Sequence, residues 1–195
     1  MSTKEFNGGL TGNQEVTVGI DQSLTGFALS ATSVEFPHLH KTWVYKSPYR
    51  GIQRLNDIHD WFYNKLSELH KDGNVVVNVA MEGTVLQSQA ASILGELAGV
   101  TKMDLFIFFD ARVKPNCSLP LQIPPMTLKK YATGKGTAKK QEMLLQIYKR
   151  WGVEFNDDNA ADAYALARLA ADAHKGAEGD LFDKIKDGAY RDVVQ

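Results

Sequence analysis

Four acidic residues stand where a fold concentrates chemistry. Asp21 closes the apolar run VTVGID and is followed at once by QSLTG. Glu82 closes the run VVVNVAME, and Asp158 and Asp162 lie four residues apart in DDNAADAYALA. Two of these acids sit at the carboxyl ends of strand-like segments, the edge of an open α/β sheet where ligands bind. Residues four apart on a helix share one face, so Asp158 and Asp162 point the same way. Carboxylates brought together raise one another's pKa and repel. A hard divalent cation removes that conflict, and Mg²⁺ prefers an all-oxygen set. Two such ions roughly 4 Å apart can activate water and stabilise the leaving oxygen of a phosphodiester. Each acid also admits a plain structural reading: Asp21 as a turn cap onto Ser23, Glu82 as a strand-end surface charge, Asp157 and Asp158 as helix-dipole acids. Asp162 is harder to read that way, because Ala160, Ala161, Ala163 and Ala165 surround it with small residues.

A basic block precedes the last acids. Residues 129–150 hold seven bases, among them Lys129, Lys130, Lys135, Lys139 and Lys140, against one acid, a net of +6. Residues 1–128 carry −2 and residues 151–195 carry −5, so the overall −1 conceals a sharp asymmetry. On charge alone the block reads as a solvated helix face. Beside an acidic cluster it also reads as a track for phosphates. The loop TGKG (133–136) is not a nucleotide-binding P-loop. That motif needs a Gly five residues before the Gly-Lys pair and Ser or Thr after it, and Lys129 and Gly136 occupy those places. No nucleotide cofactor is expected.

The elements that must position these residues follow from hydrophobic period. VTVGID (16–21), GFALSATS (26–33) and KTWVYKS (41–47) read as strands whose links are too short for a crossover, hence an antiparallel meander. Leu55, Ile58, Phe62, Leu66 and Leu69 give residues 52–70 a helical period. VVVNVAME (75–82) is a central strand, 88–100 a helix thin on one side, LFIFFDA (105–111) a buried strand and SLPLQIPP (118–125) a short one. Residues 137–152 and 159–175 are helices, the latter capped by Asn156, Asp157 or Asp158. The expected fold is α/β: a mixed five-stranded sheet, three antiparallel strands followed by parallel ones, flanked by helices. Residues 1–15 read as a flexible N-terminal arm, 16–175 as the folded domain and 176–195 as a polar tail.

The chain's 195 residues, 44% apolar and 23% charged, suit one globular domain with a real core. No apolar run is long enough to cross a bilayer, and the N-terminal stretch has no signal-like apolar segment. The lone Cys117 suits a reducing compartment, so a cytoplasmic protein with no membrane partner is expected.

From about residue 16 to 172 the sequence resembles the RuvC family of Holliday junction resolvases, within the RNase H-like superfamily. VGIDQSLTGFAL resembles the family's first strand and turn, and VAMEG its fourth strand. LPLQIPPMTLKKYATGKGTAKKQEM resembles the stretch leading to its basic helix, and DDNAADAYALA its last acidic motif. The resemblance implies an RNase H-like fold and a nuclease that cuts four-way DNA junctions and related branches. It implies two Mg²⁺ ions per site, with Mn²⁺ able to substitute, held by Asp21, Glu82, Asp158 and Asp162. Lys140 would hold the scissile region by its phosphates. Lys129 and Lys140 match DNA-contacting positions, with Lys130, Lys135 and Lys139 as added charge, and a homodimer would cut the two strands symmetrically. Two departures stand out. The family sets its last two acids three apart, whereas Asn159 lies three before Asp162, leaving the fourth ligand among Asp158, Asp157 and Asn159. Some members carry an aromatic shortly after the second acid, where this chain has Val85. The extended N-terminus resembles phage-encoded forms, which suits a bacterial or phage-infected cytoplasm. Competing readings are another RNase H-like nuclease acting on RNA–DNA hybrids or chain ends, a sugar-kinase-type phosphotransferase, and a non-catalytic junction-binding protein.

Overall fold

The computed structural model describes residues 2–83, 91–110 and 114–192. Six strands form one mixed sheet: β1 (Ser2–Asn7), β2 (Glu15–Asp21), β3 (Phe27–Ser33), β4 (His40–Lys46), β5 (Val75–Glu82) and β6 (Leu121–Ile123). Their order across the sheet is β1-β4-β3-β2-β5-β6. The pairs β1–β4, β4–β3 and β3–β2 are antiparallel, and β2–β5 and β5–β6 are parallel. The meander and the parallel extension are as expected, but the count is six rather than five. One of the six, β1, comes from the segment expected as a flexible arm, while one segment expected as a strand is helical. Ser2–Asn7 pairs with Lys41–Lys46 along the sheet edge and is exposed at all but Phe6. An edge strand held by backbone hydrogen bonds needs no apolar face.

Strand parity decides what each side of the sheet does. In β2, Val16, Val18 and Ile20 enter one core with Leu55, Phe62, Leu66 and Leu69 of α1 (Gly51–Lys71) and Leu97 and Leu105 of α2 (Ala91–Phe108). The alternate residues Thr17, Gly19 and Asp21 therefore face the other side. There lie α4 (Pro125–Thr133), α5 (Lys140–Trp151) and α6 (Asp158–His174), packed on Ala28, Val44, Ala80 and Leu121. The same alternation puts Asn78, Ala80 and Glu82 of β5 on the α6 side. Helix α6 is pinned flat on the sheet. Thr17 Oγ1 donates to the Ala167 carbonyl at 2.8 Å, and Asn78 Nδ2 to the Ala170 carbonyl at 2.9 Å. A Cβ on Gly19 would overlap the Ala163 carbonyl oxygen and the Ala167 nitrogen, so only glycine lets the helix come this close.

One expected strand is a helix. LFIFFDA continues α2 as far as Phe108, and its last residue, Ala111, is outside the described residues, as are residues 88–90 of the expected 88–100 helix. Leu97, Ala98, Thr101, Asp104 and Leu105 form the buried stripe of α2. Met103, Phe106 and Ile107 on its other side are 57%, 53% and 64% exposed. Apolar residues on both sides erased the helical period and left a run that composition reads as a strand. The polar tail folds back onto the domain. It forms α3's distant partner in space: α3 (Pro115–Ser118) offers Asn116 Oδ1 to Arg191, whose guanidinium also reaches Asn78 Oδ1 at 2.6 Å. Ahead of that strap lies α7 (Asp180–Lys186).

His40 reports on the β4 side of this packing. Its ring is 4% exposed, lies against Phe155 and Tyr164, and its Nδ1 meets Thr42 Oγ1 at 3.0 Å. A Cβ on Gly8 would overlap the ring, so the turn after β1 closes directly over it. Burial lowers the imidazole pKa to about 4. The unfolded chain takes up a proton near pH 6.5, whereas the fold resists until about 4. Stability is therefore full above pH 6.5 and is lost as pH falls toward 4, by about 3 kcal/mol. Urea unfolding at pH 7 and pH 4 should show a His40→Gln variant losing less stability than the parent by about that amount. Equal losses would dismiss the residue as the acid-sensitive point.

Candidate active site

The site is built by the carboxyl ends of β2 and β5 and the first turn and a half of α6. Ile20 pairs with Met81 in the parallel ladder, so Asp21 and Glu82 emerge side by side as the strands end. Both belong to the parity class that faces α6. The helix starts at Asp158 and lays Asp162 one turn further along the same face. The Asp21 carboxyl is 5% exposed and within hydrogen-bonding reach of Glu82. Burial, then the charges of Glu82 and Asp162, hold its pKa well above the usual carboxylate range. Burial, then Glu82 and Asp158, push Asp162 up to about 7, against a pull downward from Lys129 and Lys140. Asp158 is the member held low, because Lys140 donates to its Oδ2. That same contact keeps the Lys140 ammonium above its usual range.

The three residues open as fourth acid separate clearly. Asp157 is the N-cap of α6, and its carboxylate accepts from the backbone nitrogens of Asn159 and Ala160. Asn159 presses its amide against Gly26, in the turn between β2 and β3. Asp158 is the one whose charge acts on both Asp21 and Asp162. The Val85 position lies outside the described residues.

All four acids offer hard oxygen donors, and Asp21 and Glu82 stand close enough to share a proton in the place a cation would neutralise. This donor set suits Mg²⁺ or Mn²⁺. As the side chains stand, no three acidic, imidazole or thiol groups among the described residues gather around one point as ligands do around an ion. Lys140 instead meets Asp158. The fit is therefore one of donor chemistry and neighbourhood, with Asp158 engaged by an ammonium.

The lysines divide. Lys129 on α4 and Lys140 at the head of α5 act on the acid cluster. Lys130 lines a separate groove between α4 and the tail, with Met126, Tyr131 and Phe182. Lys135 pairs with Glu142 at 3.5 Å, and Lys139 is the exposed N-cap residue of α5. Two residues escaped the sequence reading. Lys46, ending β4, also lowers Asp158 by its charge. Gln22 donates from Nε2 to the Glu82 carbonyl at 2.8 Å, tying the two strand ends together. The position of Gln22 directly after Asp21 was a usable signal, whereas nothing local marks Lys46.

No protein-family model matches the chain, and no curated protein is similar to it in sequence. Solved structures are. The structure of RuvC from Thermus thermophilus is 25% identical, covers 83% of this chain and 97% of its own, and superposes with a TM-score of 0.61. T. thermophilus RuvC in complex with a Holliday junction substrate is 22% identical, covers 79% of this chain and 91% of its own, and gives a TM-score of 0.56.

Proposed function

We propose that this RuvC-like chain is a divalent-metal-dependent endonuclease that cleaves four-way DNA junctions and related branched DNA, in recombination, repair or the resolution of replication intermediates. The observation that carries the reading is the neighbourhood of Asp21, Glu82, Asp158 and Asp162, near enough to act on one another's charge, beside Lys140 at the carboxyl edge of the sheet. Mg²⁺ held there would supply Lewis acidity and an activated water for phosphodiester hydrolysis, leaving 5′-phosphate and 3′-hydroxyl ends. Asp21, Glu82 and Asp162 are its holders, with Asp158 as the fourth. Such a cluster repels a nucleic-acid strand until cations offset it. Lys140, 78% exposed at its side chain, is placed to exchange the Asp158 carboxylate for a phosphate. Lys129, Lys130, Lys135 and Lys139 extend the positive face without reading sequence.

A homodimer completes this reading. The exposed Met103, Phe106 and Ile107 of α2 offer an apolar face for a second copy. Among the described residues no helix is long and apolar enough to cross a membrane, and the single Cys117 is buried. Both features are compatible with work in the cytoplasm.

The test is a substrate panel in Mg²⁺: a synthetic four-way junction, a linear duplex of the same sequence and an RNA–DNA hybrid. Paired symmetric nicks in the junction, with the other two spared, are expected. Preference for the hybrid would transfer the chain to a different branch of RNase H-like nucleases. Removing Lys140 isolates the electrostatic part. A Lys140→Ala variant should bind the junction more weakly, with the slope of log affinity against log salt shallower by about 1. Fluorescence anisotropy over a salt series measures it, and an unaltered slope would mean that this lysine touches no phosphate.

A further inference from the structure

Gln22 has two ends, and only one is used. Its side chain is 8% exposed, in the turn that follows Asp21. Nε2 is spent on the Glu82 backbone carbonyl. Oε1 is buried and, among the described residues, accepts nothing. A buried amide oxygen without a donor is costly, and a native fold keeps such a group where something else satisfies it. The amide bridges the strand ends that carry Asp21 and Glu82, and its second pole is left without a partner there.

We infer that Gln22 is the positioning residue of the cation site: its amide nitrogen fixes the spacing of Asp21 and Glu82, and its free oxygen receives a hydrogen bond from the water shell of the bound ion. The inference rests on the proposed metal site and adds a residue to it. Mg²⁺ keeps several waters when bound, and each has hydrogens to donate. A neutral acceptor suits this place better than a fifth acid, because four carboxylates already crowd the cluster and a further charge would raise their mutual repulsion. Partners of this outer kind typically hold metal affinity to within a factor of 10–100.

The experiment is Mn²⁺ binding to the DNA-free protein, followed by the electron paramagnetic resonance of free Mn²⁺. Gln22→Met removes both polar ends at similar volume and should weaken Mn²⁺ binding about tenfold or more. Gln22→Glu keeps an oxygen at the same reach but loses the donor to the Glu82 carbonyl and adds a fifth charge, and should also weaken Mn²⁺ binding. Thermal melts establish that each variant folds, and the Glu variant decides the matter if the Met variant does not. Junction affinity in EDTA should stay with the parent for both, since neither change touches the lysine face. Parental Mn²⁺ affinity in the folded variants would reduce Gln22 to a structural strap. If the parent protein itself bound no Mn²⁺, the metal site would fall first, and the two failures are thereby distinct.

Discussion

An Asp21→Asn protein should still bind a synthetic junction in Ca²⁺ and cut it in Mg²⁺ slower by on the order of 10³-fold. It should also melt several degrees higher than the parent in EDTA. The two effects have one origin. Asp21 is the most buried of the four acids, and its carboxylate is opposed by desolvation and by the charges of Glu82 and Asp162. An acid whose folded pKa is raised weakens the fold at neutral pH, so an isosteric neutral amide relieves it. Asparagine can still donate to Glu82, so the local contact survives. Loss of a charged oxygen ligand, by contrast, removes what a cation needs. The melting difference should shrink when Mn²⁺ is added, because only the parent gains fully from the ion. Undiminished cutting by the variant would end the nuclease reading. An unchanged melt in EDTA would show that the cluster is not electrostatically strained.

The second large effect belongs to Gly19, which touches no substrate. A Gly19→Ala protein should lose about 3 kcal/mol of stability and with it most of its activity. Added at this position, a methyl group meets backbone on the facing helix, at the Ala163 carbonyl oxygen and the Ala167 nitrogen, with the Leu166 carbonyl carbon 2.9 Å away. Backbone cannot rotate aside like a side chain, so α6 must lift. Lifting breaks the Thr17 and Asn78 hydrogen bonds to the Ala167 and Ala170 carbonyls and carries Asp158 and Asp162 away from Asp21. A urea midpoint shifted down with an unchanged m-value would report the loss. Parental stability would mean that the helix approaches less closely than this packing requires.

The acids were legible because they end or begin elements whose period is plain. Strand alternation in VTVGID and VVVNVAME fixes which face Asp21 and Glu82 share, and the alanine-rich stretch after Asp158 fixes a helix thin enough to lie on that face. Packing explains what stayed hidden. β1 is a polar edge strand that pairs through its backbone, so STKEFN carries almost no trace of it. The second half of α2 is apolar on the exposed side as well as the buried one, and the period vanished. Asp158 separates from Asp157 and Asn159 only once the cap and the Gly26 contact exist. Lys46 joins the site from a strand two places away in the sheet from β2, a relation that topology creates and composition does not contain.

The Lys140–Asp158 contact makes two guests compete for neither and cooperate through both. One carboxylate cannot serve the ammonium and a cation fully at once, and one ammonium cannot serve the carboxylate and a phosphate. On the proposed function, a cation arriving at Asp158 would free the lysine, and a phosphate arriving at Lys140 would free the aspartate. Thermodynamic reciprocity then requires each guest to tighten the other by the same factor. At constant ionic strength the junction should hold faster in Ca²⁺ than in EDTA, and a Lys140→Ala protein should show less of that gain. On the proposed function, each guest is held poorly while the other is missing, so the contact acts as a latch between the cation and the strand.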